Sequence, residues 1–229
     1  MNEKATPPAA VLWDMDGTLI DSEPYWIGAE TELASRFGVE WTHQDGLALV
    51  GNPLTVSAQA MIDRGVELDP ADVINYLLAR VTARVRERTP WMDDARALLD
   101  AVVSAGIPCA LVTMSYSMLA DAFVSRAPDA FAVVVSGDQV THGKPHPEPY
   151  LTAAARLGVP IGRCVAIEDS PSGVGSAYAS GAATIGVRRL TPIRHRPGLS
   201  RVRSLEGIDV AMLGRMVEGH VIDELGASV

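Results

Sequence analysis

Short apolar runs recur along the chain, five to seven residues long, bounded by polar or turn-forming residues. Runs of this length without polar alternation are typical of parallel strands that are buried on both faces. The runs are AAVLW at 9–13, IPCALVT at 107–113, FAVVVS at 131–136, CVAIED at 164–169 and AATIGV at 182–187. They predict an open parallel sheet.

Helical patterns separate these runs. Within residues 92–106 the apolar side chains on one helix face are Ala95, Leu98, Leu99, Val102 and Val103. Gly106 is a natural helix end, and residues 146–159 and 170–182 show helical patterns as well. Strands that alternate with helices predict an α/β fold with a Rossmann-like, doubly wound parallel sheet covered on both faces. Such sheets place their sites at the carboxyl ends of the strands.

One long segment carries no strand pattern. Residues 21–89 show only helical patterns, and Ser22 is a candidate N-cap, with Pro24 tolerated in the first turn. We therefore expect residues 21–89 to form an inserted all-helical cap, and residues 1–20 and 90–229 to form the core. A cap over the mouth of the sheet excludes water and selects substrates. The alternative is that the segment only extends the core.

Composition and charge narrow the possible partners. The chain is 48% hydrophobic and 21% charged, as in an ordinary globular protein. A formal charge of −9 argues against a nucleic-acid partner. No signal peptide or membrane-length run is present, and Cys109 and Cys164 lie in apolar runs where buried thiols are favoured over a disulfide. These features predict a cytoplasmic protein with no membrane partner, and they leave the oligomeric state open.

Polar residues follow each predicted strand at the point where it ends, so we expect them to meet in one crevice. They are Asp14, Asp16, Thr18 and Asp21 after the first strand, Thr113 and Ser115 after the second, Lys144 after the third, and Glu168, Asp169 and Ser170 at the end of the fourth. Clustered carboxylates without histidine or cysteine ligand spacing favour Mg²⁺. A carboxylate can also act as a covalent nucleophile in phosphoryl transfer, with a second carboxylate as general acid and base.

Four segments in order, DMDGTLIDSE, the Thr113 strand end, GKPHPEPYL and IEDSPSG, resemble the haloacid dehalogenase superfamily. They are most similar to its branch of helical-cap phosphatases and β-phosphoglucomutase-like enzymes. The resemblance implies that Asp14 is the nucleophile and that Asp16 is the general acid and base, with its backbone carbonyl on the metal. It also implies that Thr113 and Lys144 hold the phosphoryl group, and that Asp169, joined by Glu168, binds Mg²⁺. Gly17 would let the chain turn sharply out of the strand.

The resemblance implies a small phosphorylated substrate, such as a sugar phosphate. The residues expected to bind it are Gly51, Asn52, Thr113, Met114, Ser115 and Lys144. Asp16 disfavours a dehalogenase, and the absence of a lysine from residues 21–89 excludes Schiff-base phosphonate cleavage. Related mutases carry a cap arginine a few residues beyond a glycine that corresponds to Gly51. Here Leu54 lies near that place, so a hydrolase is favoured over a mutase. A catalytically silent phospho-ligand sensor is the third hypothesis.

Several other residues have ambiguous patterns. Trp26, Trp41 and His43 fit either the pocket wall or ordinary packing. His142 and His146 flank Lys144, and we expect no direct catalytic role for them. A late basic patch is expected to be a solvated loop; its members are Arg188, Arg189, Arg194, Arg196, Arg201 and Arg203.

Overall fold

The computed structural model describes residues 6–226. Residues 1–5 and 227–229, which the sequence analysis assigned to the core, lie outside the described residues. The described strands are β1 (Ala10–Trp13), β2 (Cys109–Val112), β3 (Val133–Val135), β4 (Cys164–Glu168), β5 (Ala183–Val187) and β6 (Ser200–Val202). The α-helices are α1 (Glu23–Arg36), α2 (His43–Leu47), α3 (Leu54–Asp63), α4 (Pro70–Glu87), α5 (Asp93–Ser104), α6 (Ser117–Val124), α7 (Glu148–Leu157), α8 (Pro171–Ser180) and α9 (Val210–Val217).

The six strands form one parallel sheet in the order β3-β2-β1-β4-β5-β6. Strand β1 lies in the middle, and Leu12 is aligned with Ala110 of β2 and Ala166 of β4. Because the strands are parallel, their carboxyl ends share one edge. The expected α/β fold with a Rossmann-like, doubly wound sheet is therefore confirmed.

Both faces of the sheet are buried, as the apolar runs predicted. Val11 and Trp13 of β1 belong to an apolar cluster with residues of α5, α6 and α9, among them Leu99 and Phe123. Leu12 points the other way, into a cluster built with α7 and α8 that includes Tyr150. This alternation follows from the two-residue period of a strand, and it explains why the strands contain few polar side chains.

Helices α1 to α4 make up the segment between β1 and α5. The two ends of this segment lie next to each other. The amide of Asp21 donates to the carbonyl of Pro90 at 2.9 Å, and Ile20 pairs with Trp91 in an antiparallel bridge. Apolar residues of the segment, such as Leu77 in α4, belong to the same cluster as Val11 and Trp13. The segment is helical as expected, while its division from the core at residues 21 and 89 stays a prediction.

Strand β6 and helix α9 were not predicted, and part of the basic patch was interpreted wrongly. Arg201 is fully buried in β6, where its guanidinium donates to the Ile193 carbonyl and pairs with Asp223 at 2.7 Å. Arg189 pairs with Asp94 at 2.7 Å. Arg201 thus stabilises the edge strand β6, while Arg189 ties the residues after β5 to α5. The other four members of the patch are exposed.

Cys109 and Cys164 are buried free thiols, which agrees with the expectation. Burial raises the pKa of each thiol to about 11, so both stay protonated and unreactive at neutral pH. Within residues 6–226, no helix has both the length and the apolar character needed to cross a membrane.

Candidate active site

The carboxyl edge of the sheet brings most of the predicted polar residues together, whereas Asp21, also expected in the crevice, is exposed and lies outside it. Asp14 follows β1, Thr113 follows β2, and Glu168 ends β4, with Asp169 directly after it. Lys144 reaches the same edge from the loop between β3 and α7, and its peptide bond to the next proline is cis. A single crevice therefore collects side chains that are up to 155 residues apart in the chain, from position 14 to position 169.

The ammonium group of Lys144 lies between two carboxylates. Its Nζ is 2.6 Å from Asp14 Oδ1, 2.6 Å from Glu168 Oε1 and 2.8 Å from the carbonyl oxygen of Val112. The side chain is only 4% exposed. Burial alone would lower the pKa of Lys144, but Asp14 and Glu168 outweigh it and hold the pKa above its ordinary value. Lys144 is thus a fixed positive charge at physiological pH.

Glu168 orients Lys144 from below the crevice. This carboxylate is fully buried, and its Oε1 also accepts a hydrogen bond from the hydroxyl of Tyr150 at 2.7 Å. Its Oε2 accepts from the amide of Asp169 at 3.2 Å. Burial, together with the nearby carboxylates, raises the pKa of Tyr150 well above its ordinary value, so the phenol stays protonated and keeps donating. Tyr150 was not among the residues predicted for the site, although it lies within the segment GKPHPEPYL.

Three carboxylates fit a metal ion. One oxygen each from Asp14, Glu168 and Asp169 lies within 4.8 Å of the others. Burial, reinforced by Glu168, raises the pKa of Asp14 well above normal and that of Asp169 to about 8, although Lys144 opposes both shifts. Among residues 6–226 no group donates a hydrogen bond to the buried Oδ2 of Asp14. A hard divalent cation would supply the missing positive charge and the missing partner.

Asp16 faces a different set of neighbours. Its Oδ2 accepts hydrogen bonds from the hydroxyls of Ser115 at 2.8 Å and Thr113 at 3.3 Å, and its Oδ1 accepts from Ser22 Oγ at 2.5 Å. The carboxylate of Asp16 is not in the three-carboxylate group, so its expected metal contact through the backbone carbonyl stays a prediction. Ser22 lies at the N-cap position of α1, as expected, but its hydroxyl donates to Asp16 and makes no capping bond to the helix.

Two glycines allow this close packing. Gly17 has φ +83°, and a Cβ placed on it would lie 2.2 Å from Asp169 Oδ2. A Cβ on Gly173, in the first turn of α8, would lie 1.9 Å from Glu168 Oε2. Real Cβ atoms essentially never approach other heavy atoms so closely. The absence of side chains at both positions is therefore a condition for the carboxylate geometry.

A cavity of about 360 Å³ opens above these residues. Its floor contains the sheet-edge residues Asp14, Asp16, Thr113, Met114, Ser115, Lys144 and Asp169. Its roof comes from the segment of α1 to α3 and includes the predicted Gly51 and Asn52, together with Glu23, Trp26, Glu30 and Leu54. All six residues expected to bind the substrate line this one cavity. Trp26 also lines it, whereas Trp41 packs behind Glu30 and His43 lies outside.

Two roof carboxylates were missed by the sequence analysis. Burial, reinforced by Asp16 and Glu30, raises the pKa of Glu23 to about 8. Burial raises the pKa of Glu30 to about 7, although a hydrogen bond from Trp41 Nε1 at 3.2 Å opposes the shift. Glu30 is only 4% exposed. A glutamate on an amphipathic helix ordinarily indicates a solvated face, so the sequence held no signal for this position.

Fold and site together define a class of hydrolytic enzyme in which carboxylates and one lysine meet at the carboxyl edge of a parallel sheet. Residues 11–187 match the family described as haloacid dehalogenase-like hydrolase. The chain belongs to that family, and the resemblance drawn from its motifs is confirmed.

Named relatives narrow the class further. The chain is 36% identical over 187 residues to fructose-1-phosphate phosphatase YqaB of Escherichia coli K12, covering 80% of this chain and 97% of the relative. It is 34% identical over 181 residues to hexitol phosphatase A of the same organism, covering 77% of this chain and 81% of that relative. A CbbY variant of Rhodobacter sphaeroides, solved with xylulose-1,5-bisphosphate, superposes with a TM-score of 0.78 at 26% identity, covering 90% and 99%. The chain is an enzyme of this family, a phosphoric monoester hydrolase.

Proposed function

We propose that the chain is a Mg²⁺-dependent phosphatase that hydrolyses a small, uncharged sugar or polyol carrying one phosphate. The observation that supports the chemistry most strongly is the position of Asp14. One of its oxygens is held by Lys144 at 2.6 Å, while the other is buried without a donor among the described residues. A carboxylate in that state can be oriented toward phosphorus and relieved of its negative charge by forming a bond.

In the first half-reaction, a carboxylate oxygen of Asp14 forms a bond to phosphorus as the ester P–O bond breaks. Asp16 donates its proton to the leaving oxygen, which departs as the free alcohol. Lys144 stabilises the charge on the phosphoryl oxygens, and the hydroxyls of Thr113 and Ser115 lie beside it as further donors. Because Ser22 and Ser115 occupy the Asp16 carboxylate in this structure, Asp16 must exchange partners before it reaches the substrate.

In the second half-reaction, Asp16 removes a proton from water as the water oxygen bonds to phosphorus. The bond from phosphorus to Asp14 breaks, and inorganic phosphate leaves. Mg²⁺, when held by Asp14 and Asp169 with Glu168 and the Asp16 carbonyl as further candidate ligands, would neutralise charge on the phosphoryl oxygens. Two ordered steps on one carboxylate thus account for hydrolysis.

The roof of the cavity supports an uncharged substrate body. Lys144 is the only arginine or lysine among the described residues that line the cavity, and it is used at the floor. The opposite side holds Glu23 and Glu30, whose carboxyl groups hydrogen-bond to hydroxyl groups and, once ionised above their pKa values of about 8 and 7, repel a second phosphate. Residues 21–89 would then act as a cap that selects the substrate and excludes water.

The glutamates in the cavity roof also bear on the alternative functions, a mutase and a catalytically silent sensor. A β-phosphoglucomutase-type reaction requires a bisphosphate, and CbbY was solved with one, yet the roof of this cavity offers glutamates where a distal phosphate would need a cation. A silent sensor would not need Asp16 beside the crevice. The cytoplasmic location is proposed on the sequence features alone.

Phosphate release from a substrate panel tests the proposal. Fructose 1-phosphate and a hexitol phosphate should be hydrolysed in Mg²⁺, whereas xylulose 1,5-bisphosphate should be a poor substrate. At pH 8, where Glu30 is ionised, Glu30→Gln should narrow the difference in rate between the monophosphates and the bisphosphate. Glu32→Gln is the matched control, because Glu32 lies on the outer side of α1 and pairs with Arg80. Isomerisation of a sugar phosphate without phosphate release would indicate the mutase, and binding without turnover would indicate the sensor.

A further inference from the structure

A second group of metal-binding side chains lies outside the cavity, on the loop that carries Lys144. It consists of His142, His146 and Glu148, and one ligand atom from each lies within 4.8 Å of the others. The imidazole rings are 62% and 51% exposed. Their ring centroids are 4.7 Å apart. None of these residues lines the catalytic cavity, so the group needs its own explanation.

Backbone groups hold the carboxylate of Glu148 in place. Its Oε1 accepts from the amide of Thr141 at 2.7 Å, and its Oε2 accepts from the amide of His142 at 3.0 Å. An oriented anion beside two imidazoles is a prepared ligand set, because no large rearrangement is needed to use it.

The distances suit tetrahedral coordination. Glu148 Oε2 is 2.8 Å from His142 Nδ1 and 4.0 Å from His146 Nδ1. Ligand bonds of about 2.0–2.1 Å to tetrahedral Zn²⁺ place neighbouring ligand atoms about 3.3 Å apart. Each of the two observed distances differs from that value by less than about 1 Å. Rotation of each ring would complete three corners of a tetrahedron, with the metal replacing the hydrogen bond that His146 Nδ1 accepts from the amide of Glu148 at 3.2 Å.

We propose that His142, His146 and Glu148 bind a transition-metal dication of the Zn²⁺ type, separately from the acidic site. Imidazole nitrogens favour zinc, cobalt and nickel over Mg²⁺, whereas the all-oxygen group around Asp14 favours Mg²⁺. Three protein ligands leave the fourth position to water, so the ion is exchangeable. Because His142 and His146 flank Lys144 in sequence, the bound ion ties together the two sides of the catalytic loop. The proposal does not depend on the proposed function.

Titration with Zn²⁺ in saturating Mg²⁺ tests this site, since Mg²⁺ fills the oxygen ligands first. The variant is the double substitution His142→Ala with His146→Ala. The matched control is His195→Ala with His220→Ala, which removes two other exposed histidines. Asp169→Asn reports on the acidic site. Calorimetry gives stoichiometry and affinity, and the visible spectrum of bound Co²⁺ identifies tetrahedral nitrogen ligation.

We expect one Zn²⁺ in the wild type, in the His195/His220 control and in Asp169→Asn. The His142/His146 variant should lose more than about tenfold in affinity and should lack the tetrahedral Co²⁺ spectrum, since ligand loss exceeds the roughly 10–100-fold effect of disturbing outer-shell partners. Hydrogen exchange should show Zn²⁺-dependent protection in peptides spanning residues 141–148. Glu148→Gln is a second variant that keeps an acceptor for the Thr141 amide. Unchanged affinity in the His142/His146 variant, or loss of Zn²⁺ only in Asp169→Asn, would overturn the proposal.

Discussion

Replacing Lys144 by methionine removes the buried positive charge while keeping nearly the same side-chain length. The change deletes contacts of 2.6 Å to Asp14, 2.6 Å to Glu168 and 2.8 Å to the Val112 carbonyl. It leaves two buried carboxylates facing each other without a counter-charge. Breaking a buried ion pair in this way costs about 3–5 kcal/mol. At about 2–4 °C per kcal/mol for a chain of this size, Tm without Mg²⁺ should fall by roughly 10 °C.

The catalytic loss should be separate from the loss of stability. A preorganised group that stabilises transition-state charge is typically worth about 10²–10³ in kcat, so Lys144→Met should lose at least that factor even when Mg²⁺ restores part of Tm. Lys144→Arg should not recover the rate. The Nζ of Lys144 sits among three oxygens in a site that is 4% exposed, and a planar guanidinium cannot occupy that position.

The assay is phosphate release at saturating substrate and Mg²⁺, paired with thermal unfolding in Mg²⁺ and in chelator. Arg80→Met is the control cation, because Arg80 forms an exposed pair with Glu32, and it should change neither quantity measurably. Wild-type kcat in Lys144→Met, or full recovery in Lys144→Arg, would refute the role assigned to this lysine.

Three further predictions concern the glycine turn, the roof carboxylate and the metal. Gly17→Ala should lower kcat and raise the Mg²⁺ concentration needed for activity, because the new Cβ pushes Asp169 aside. The control Gly158→Ala, at φ +71° in open space, should cost only about 1 kcal/mol of backbone strain. Equal kcat in both variants would contradict the role of Gly17 in positioning Asp169. Burial raises the pKa of Glu30 from 4.5 to about 7, so ionising it opposes folding as pH rises through that range. In urea unfolding, the free energy of unfolding of Glu30→Gln should therefore exceed that of the wild type by about 3 kcal/mol at pH 8 and by under about 1 kcal/mol at pH 5. A difference that does not change with pH would contradict the raised pKa of Glu30. Chelation should stop turnover, Mg²⁺ should restore it and Ca²⁺ should support it poorly, while a full rate in chelator would exclude a metal role.

The sheet and the floor of the cavity were readable from the sequence because both depend on local pattern. Apolar runs marked the strands, and polar residues directly after them had to share the carboxyl edge of a parallel sheet. Lys144 stood out because the chain has only two lysines. The contacts of Lys144 with Asp14 and Glu168 follow from that topology.

The remaining features depend on packing between distant segments. Strand β6 has three residues, one of them an arginine, and its burial comes from pairing with residues 222–224. Ser22 occupies the N-cap position of α1, yet its hydroxyl donates to Asp16 and makes no capping bond. Glu30 is buried because α1 packs against Trp41 and against Gly46 of α2. No local pattern carries this information.

The most direct test of the proposed chemistry is the rate of phosphate release by Asp14→Asn, measured on freshly purified protein with a substrate that the wild type hydrolyses. The introduced asparagine side chain is nearly isosteric with aspartate but cannot form the phosphoryl ester, so kcat should fall by at least about 10³ while far-UV circular dichroism and substrate binding persist. Asp21→Asn, which changes an exposed carboxylate at the start of the segment, should keep the wild-type rate. Phosphate release by Asp14→Asn at a rate near that of the wild type would contradict a covalent mechanism through Asp14.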